Sequence, residues 1–166
     1  MDINNFQTYN DLYGFLQGDS VLRALGMILS NVLRENCDAE RISCGHMGSD
    51  DFLLIGPIDT IEKLSQRIVD EFETMKSAFY SEKDLKRGYV IVKNRGGNLN
   101  LIPLISLSVV IVSSENRKIY HIGQLAAIAR EMRYYMSGQP GVQIMRDRRE
   151  DFRGGVKKES QMAIAV

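Results

Sequence analysis

Two periodicities alternate along this chain, and together they narrow the folds open to it. Between positions 58 and 79 the apolar side chains Ile61, Leu64, Ile68, Phe72, Met75 and Phe79 recur every three or four residues. That spacing lines one side of a helix and predicts an amphipathic helix after Pro57. Asp59 and Glu62 stand at its start with capping-box spacing. Val21, Leu22, Leu25, Leu29, Val32 and Leu33 repeat the pattern and predict a helix over 19–36, with Asp19 or Ser20 available as its cap. A third helix is predicted over 122–137, closed by Gly138-Gln139-Pro140-Gly141.

The intervening apolar runs are shorter and rich in β-branched residues. Residues 41–47 and 52–55 flank Gly48-Ser49-Asp50-Asp51 and read as a β-hairpin with two carboxylates at its tip. Residues 89–92 and 99–112 read as strands, joined by Asn94-Arg95-Gly96-Gly97-Asn98, whose residue types tolerate positive φ. Residues 142–145 read as a short closing strand, and 162–166 as another apolar strand beyond a charged connection at 146–158. Strands alternating with helices imply an α/β (α+β) fold, a central mixed β-sheet flanked by helices.

Composition limits the function. A chain of 166 residues, 44% hydrophobic and 25% charged, suits one compact domain. The formal net charge is zero, so no overall basic field draws it to nucleic acid or to an anionic membrane. Cys37 and Cys44 form no CxxC pair and belong to no metal-ligand cluster, which makes them ordinary reduced thiols. The longest apolar run, 101–112, is broken by Pro103 and Ser106 and is too short to cross a bilayer as a helix. No basic-then-apolar leader opens the sequence, so the expectation is a cytoplasmic chain without membrane insertion.

Two acidic clusters carry the candidate chemistry. Asp2 sits at an expected strand end, and Asp50 and Asp51 lie on the hairpin tip. Carboxylates on neighbouring strand ends suit magnesium, a hard cation that bridges carboxylate oxygens to nucleotide phosphates. The same residues also suit plain acidic turns. Asp19 can cap a helix, Asn10-Asp11 can form a turn, and Phe6, Tyr13 and Phe52 can belong to the core. His46 reads as a structural strand residue before the turn.

The stretch Asp2-Ile3-Asn4-Asn5-Phe6-Gln7-Thr8-Tyr9-Asn10-Asp11-Leu12-Tyr13-Gly14, followed by Gly18-Asp19, resembles the motif D-x-D-x-F-K-x-x-N-D-x-x-G-H-x-x-G-D of the GGDEF family. Gly48-Ser49-Asp50-Asp51-Phe52, led by Gly45-His46-Met47, resembles the signature itself, in the subgroup that reads G-H-x-G-G-D-D-F. The segments 103–108 and Asp147-Arg148-Arg149 resemble that subgroup too. The resemblance covers residues 2–149. It implies the nucleotidyl-cyclase, palm-like GGDEF fold and synthesis of cyclic di-GMP from two GTP molecules held by a homodimer.

Position by position, the resemblance implies Asp2, the Ile3 carbonyl and Asp50 as ligands for Mg2+, or Mn2+ in its place, with Asp51 near the attacking 3′-hydroxyl. It implies Asn10 and Asp19 as the guanine-reading pair, an amide and a carboxylate that match guanine's acceptor and donors. Backbone N–H groups of Asn5, Phe6 and Gln7 would hold the triphosphate. The departures matter as much. Ser49 replaces the signature's second Gly, where a side chain strains a tight turn. Gln7 and Ser137 stand where the family carries lysines, Asn4 replaces an Asp, and Phe15 replaces a His. Ala39 and Ile42 occupy the places of the Arg-x-x-Asp inhibitory motif, so feedback binding of cyclic di-GMP there is not expected.

The family also has a strand leading into the first Asp, and here Met1 precedes Asp2 directly. Residues 161–166, set before Met1, would supply it. The reading is therefore a GGDEF-like domain at 1–149 and, at 150–166, a connection plus a strand that fills the missing place, in a chain circularly permuted or rearranged relative to the family. The alternative is an N-terminal truncation with a disordered tail. Functionally, the reading is a signalling domain of a larger protein that binds GTP with magnesium and makes cyclic di-GMP weakly, if at all. The alternative is a catalytically inactive GTP-binding or dimerisation module that regulates a partner domain.

Overall fold

The computed structural model describes residues 1–93, 96–137, 139, 143–150 and 162–166. Its strands are β1 (Asp2–Asn4), β2 (Ser43–Gly48), β3 (Asp51–Pro57), β4 (Tyr89–Lys93), β5 (Leu99–Pro103), β6 (Ser106–Ser113), β7 (Ile144–Arg146) and β8 (Met162–Ala165). The α-helices are α1 (Phe6–Tyr13), α2 (Phe15–Arg34), α3 (Ile58–Met75), α4 (Glu82–Arg87) and α5 (Ile122–Ser137). The main sheet runs β1-β6-β8-β3-β2, with β7 parallel to β6 on its other edge, while β4 and β5 form a separate antiparallel pair. The sheet is thus mixed and flanked by helices, as the two periodicities predict.

The sheet's middle position is filled by two segments of chain. On the β6 side, Ala165 lies opposite Ile111, Val166 exchanges backbone bonds of 2.7 and 2.9 Å with Val110, and Asp2 lies opposite Ser108. On the β3 side, Ala165 lies opposite Leu54, and Met1 exchanges bonds of 2.8 and 2.9 Å with Phe52. Counted along either neighbour, Val166 and Met1 occupy successive rungs. Residues 162–166 are therefore paired within the sheet, in line with β1, and are not a loose tail.

Alternation along the strands divides the apolar side chains between two layers. Ile3, Phe52, Leu54, Leu107, Val109 and Ile111 face α2 and α3 and join the larger core. Leu25, Ile61, Ile68 and Phe72 are at 0% exposure there, and each such side chain contributes about 1.5–3 kcal/mol by leaving water. Val110 and Val112 face the other way and pack with Leu125, Ile128, Ala129, Met132 and Met136 of α5. Because β6 is covered on both faces over residues 109–112, that stretch reads as a continuous apolar run, whereas Ser106 and Ser108 alternate with Leu107 beside β1.

Several expectations need correction. Helix α2 begins at Phe15, so Asp19 lies inside it and caps nothing. The chain turns at Gly14, whose φ of 87° suits glycine. Helix α3 starts after Pro57 without any side-chain cap, so Asp59 and Glu62 form no capping box; Glu62 instead pairs with Arg146 at 2.6 Å. The run 99–112 is two strands in two sheets, because the chain turns after Pro103. Helices α1 and α4 have no counterpart in the periodicity reading. The closing turn at 138–141 and much of the connection at 146–158 lie largely outside the described residues.

Candidate functional site

Strand alternation also sorts polar side chains. In β1, Ile3 enters the core at 2% exposure, which sends Asp2 and Asn4 to the opposite face. In β3, Phe52 and Leu54 enter the same core, so Asp51 projects on the side of α5. The hairpin from β2 to β3 puts Asp50 beside the end of β1, because Met1 and Phe52 are rung partners. Two distant acidic segments are thereby brought to one edge of the sheet.

A cavity of about 620 Å³ opens there. Of the residues implied by the resemblance, Asp2, Ile3, Asn5, Phe6, Gln7, Asn10 and Asp50 line it. Asp51 and Asp19 do not. Asp51 pairs with Arg133 of α5, Nη2 to Oδ1 at 2.7 Å, and Asp19 is exposed along α2. The wall also includes Asp11, Phe15 and Ser49, and Phe15 is 77% exposed. Phe6 and Phe52 are core residues, at 7% and 8% exposure, and Tyr13 packs against Tyr9 and Tyr80.

Asn5 sits in the left-handed region at φ 61°, a conformation that asparagine tolerates. From there α1 begins, and the first N–H groups of a helix have no partner within it. Those of Asn5, Phe6 and Gln7 therefore belong to a wall suited to anions. Asn10 turns its side chain against α2. Its Oδ1 is buried without a hydrogen-bond partner and lies 1.8 Å from where a Cβ on Gly18 would stand. Glycine at 18 makes room for that amide, and an orphaned acceptor in a cavity wall is what a donor-bearing ligand would satisfy.

The hairpin tip is strained and braced. Ser49 adopts φ 52°, so the side chain in place of the family's glycine is accommodated in the left-handed conformation. Its hydroxyl donates to Asp50 Oδ1 at 2.7 Å, and its carbonyl lies 2.9 Å from His46 Nε2. His46 also packs against the Phe52 ring, which fits its structural reading. Asn4 is committed to structure, since Nδ2 donates to Ser106 Oγ at 2.9 Å and to Ser108 Oγ at 2.6 Å.

Burial pushes the Asp2 carboxyl up to about 6; the Arg133 guanidinium opposes this, while Asp50 and Asp51 add to it. Among the described residues no three His, Cys, Asp or Glu side chains converge into a preformed metal cage. Magnesium does not require one, since it commonly takes one or two carboxylates and completes its shell with water and phosphate oxygens. Asp2 and Asp50 in one wall fit that requirement.

A second cavity, of about 420 Å³, lies between α5 and the segment after β7. In its lining Arg149 pairs with Glu131 and with buried Asp147, each at 2.7 Å, while Arg146 pairs with Glu62 at 2.6 Å and with Glu115. Sequence reasoning missed Arg133 altogether. The signal was its place one helical turn before Ser137, the position where the resemblance expects a lysine.

The arrangement, a mixed sheet flanked by helices with acidic strand ends beside a helix start, defines an α+β domain with a candidate anion and cation site. Comparison with known proteins makes this specific. The family described as "Diguanylate cyclase, GGDEF domain" matches residues 1–102, and the chain belongs to that family. It is 37% identical over 71 residues to the uncharacterized protein YhcK of Bacillus subtilis, covering 41% of this chain and 18% of that one. It is 35% identical over 79 residues to the diguanylate cyclase DgcS of Shewanella oneidensis, covering 46% of this chain and 25% of that one. The matched part is thus a quarter or less of each relative. No solved structure matches the chain significantly. Among the described residues, no helix is long and apolar enough to cross a membrane.

Proposed function

We propose that the cavity binds GTP with a divalent cation, magnesium or manganese, and that a homodimer of this domain converts GTP slowly to cyclic di-GMP within a larger signalling protein. The observation that carries this reading is the convergence in one wall of Asp2 and Asp50, the first-turn amides of α1 and the unpartnered amide of Asn10. The metal would be held by Asp2, Asp50 and the Ile3 carbonyl, and when bound it supplies charge neutralisation at the phosphates. The amides of Asn5, Phe6 and Gln7 orient the triphosphate. Asn10 reads the base, and Asp19 reaches it only if its side chain folds in from the helix surface. Asp51 serves the attacking hydroxyl once released from Arg133.

Slow turnover follows from the residues present. Gln7 is neutral, Ser137 is neutral, and Asp51 is engaged in an ion pair. Incubating the purified chain with GTP and magnesium should yield cyclic di-GMP at a low rate that depends on protein concentration. GTP binding without product would establish the inactive regulatory module instead, and absence of binding at millimolar GTP would overturn both.

We also propose that residues 162–166 and 1–4 are two parts of one family strand, in a domain of 1–149 completed by 150–166. Their successive rungs support this. A rearranged chain with Val166 joined directly to Met1, and opened within 151–160, should fold with the same sheet. Failure of that chain to fold would refute the permutation.

A further inference from the structure

The cavity wall poses a charge problem. Among the described residues it contains three carboxylates, Asp2, Asp11 and Asp50, and no lysine or arginine. A nucleoside triphosphate brings several more negative charges, and one divalent cation cannot balance them all. The described side chain that brings positive charge to this group is Arg133. It approaches from α5, and its Nη2 lies 2.7 Å from Asp51 Oδ1.

Arg133 is also incompletely used. Its Nε is buried with no hydrogen-bond partner, although a guanidinium can serve several acceptors in its plane. Its side chain is 28% exposed, so it is neither sealed in the core nor free in solvent. Asp51 directly follows Asp50, which lines the cavity, so the pair stands immediately behind the wall. A guanidinium with an unspent donor, reaching the acidic edge of a nucleotide cavity, has little structural work to do in α5 itself.

Resting on the GTP-binding reading, we infer that Arg133 is the triphosphate-recognising cation of this site, shared between Asp51 and the phosphate oxygens of the nucleotide. It is what makes affinity depend on the number of phosphates. A guanidinium suits the task because its planar donors match phosphate oxygens in pairs. Asp51 orients it and competes for it, so weakening the ion pair should favour the nucleotide.

The test is a set of equilibrium titrations with guanosine, GMP, GDP and GTP, each in magnesium, on the wild-type chain and on Arg133→Gln, Arg133→Lys and Asp51→Asn. The wild-type chain should gain affinity at each added phosphate. Arg133→Gln should lose roughly ten- to a hundredfold for GTP and nothing for guanosine. Arg133→Lys should recover part of the loss, and Asp51→Asn should bind GTP at least as tightly as wild type. Equal GTP binding by wild type and Arg133→Gln overturns this inference and leaves the parent reading standing. So does a parallel loss of guanosine and GTP that Arg133→Lys also shows, which would mark a structural role. If the wild-type chain binds no GTP, both readings fall.

Discussion

The two faces of the central sheet share the same strands and differ in what alternation sends to them. Toward α2 and α3 the face is apolar from end to end, with Ile3, Phe52, Leu54, Leu107, Val109 and Ile111 in one dry cluster. Toward α5 only part is apolar. There Val110 and Val112 pack on the helix, while Asp2, Asn4, Asp51 and Ser108 occupy the other end. One face holds the protein together, and the other trades burial for charge. Substitutions on the first should therefore change stability, and substitutions on the second should change ligand binding.

The largest effect belongs to the dry face. Phe72→Ala, at 0% exposure, should cost about 3–5 kcal/mol in urea unfolding by leaving a cavity; a loss below 1 kcal/mol would show that this face is not the main core. Next is Gly18→Ala, which forces a methyl against the Asn10 amide. Overpacking of this kind costs about 1–3 kcal/mol, and GTP affinity measured by titration should fall further than stability alone explains.

Asp2→Asn separates the faces most cleanly. Burial raises the Asp2 carboxyl to about 6 in the folded chain, above its ordinary 3.8. The folded state therefore holds a proton that the unfolded chain has released, and stability falls as pH rises from about 4 to about 6. The amide variant should remove this loss, gaining about 1 kcal/mol at pH 7 once screening in a partly open site is allowed for. Thermal melts at pH 3.5 should show no such gain. Ser49→Gly should give the smallest change, about 0.5 kcal/mol of added stability, because glycine relieves φ 52° at an entropic cost in the unfolded chain. A destabilised glycine variant would mean that the Ser49 bond to Asp50 outweighs the backbone strain.

Much of the dry face was legible in sequence, because Ile61, Leu64, Ile68 and Phe72 repeat at helical spacing and burial follows that spacing directly. Helix α1 was hidden: it is short, with only Phe6 and Tyr9 buried, too few turns to show a period. The split of 99–112 was hidden for another reason, since Leu101 and Leu107 look alike in sequence while one is 60% exposed and the other 0%. In the candidate site, Asp2, Asp50 and Asn10, which the motif spacing singles out, line one cavity. The ion pair of Arg133 with Asp51 could not, because it joins α5 to β3 across the sheet and leaves no local pattern. Asp19 marks the opposite failure, where a good capping residue lies inside a helix that begins at Phe15.

The most direct test of the account is a titration of GTP into the wild-type chain and Asp2→Asn, each with magnesium and with excess EDTA. Cation-dependent GTP binding by the wild-type chain, lost in EDTA and in the folded Asp2→Asn variant, is the result predicted. GTP binding that is indifferent to both the cation and Asp2, or no binding at millimolar nucleotide, would contradict it.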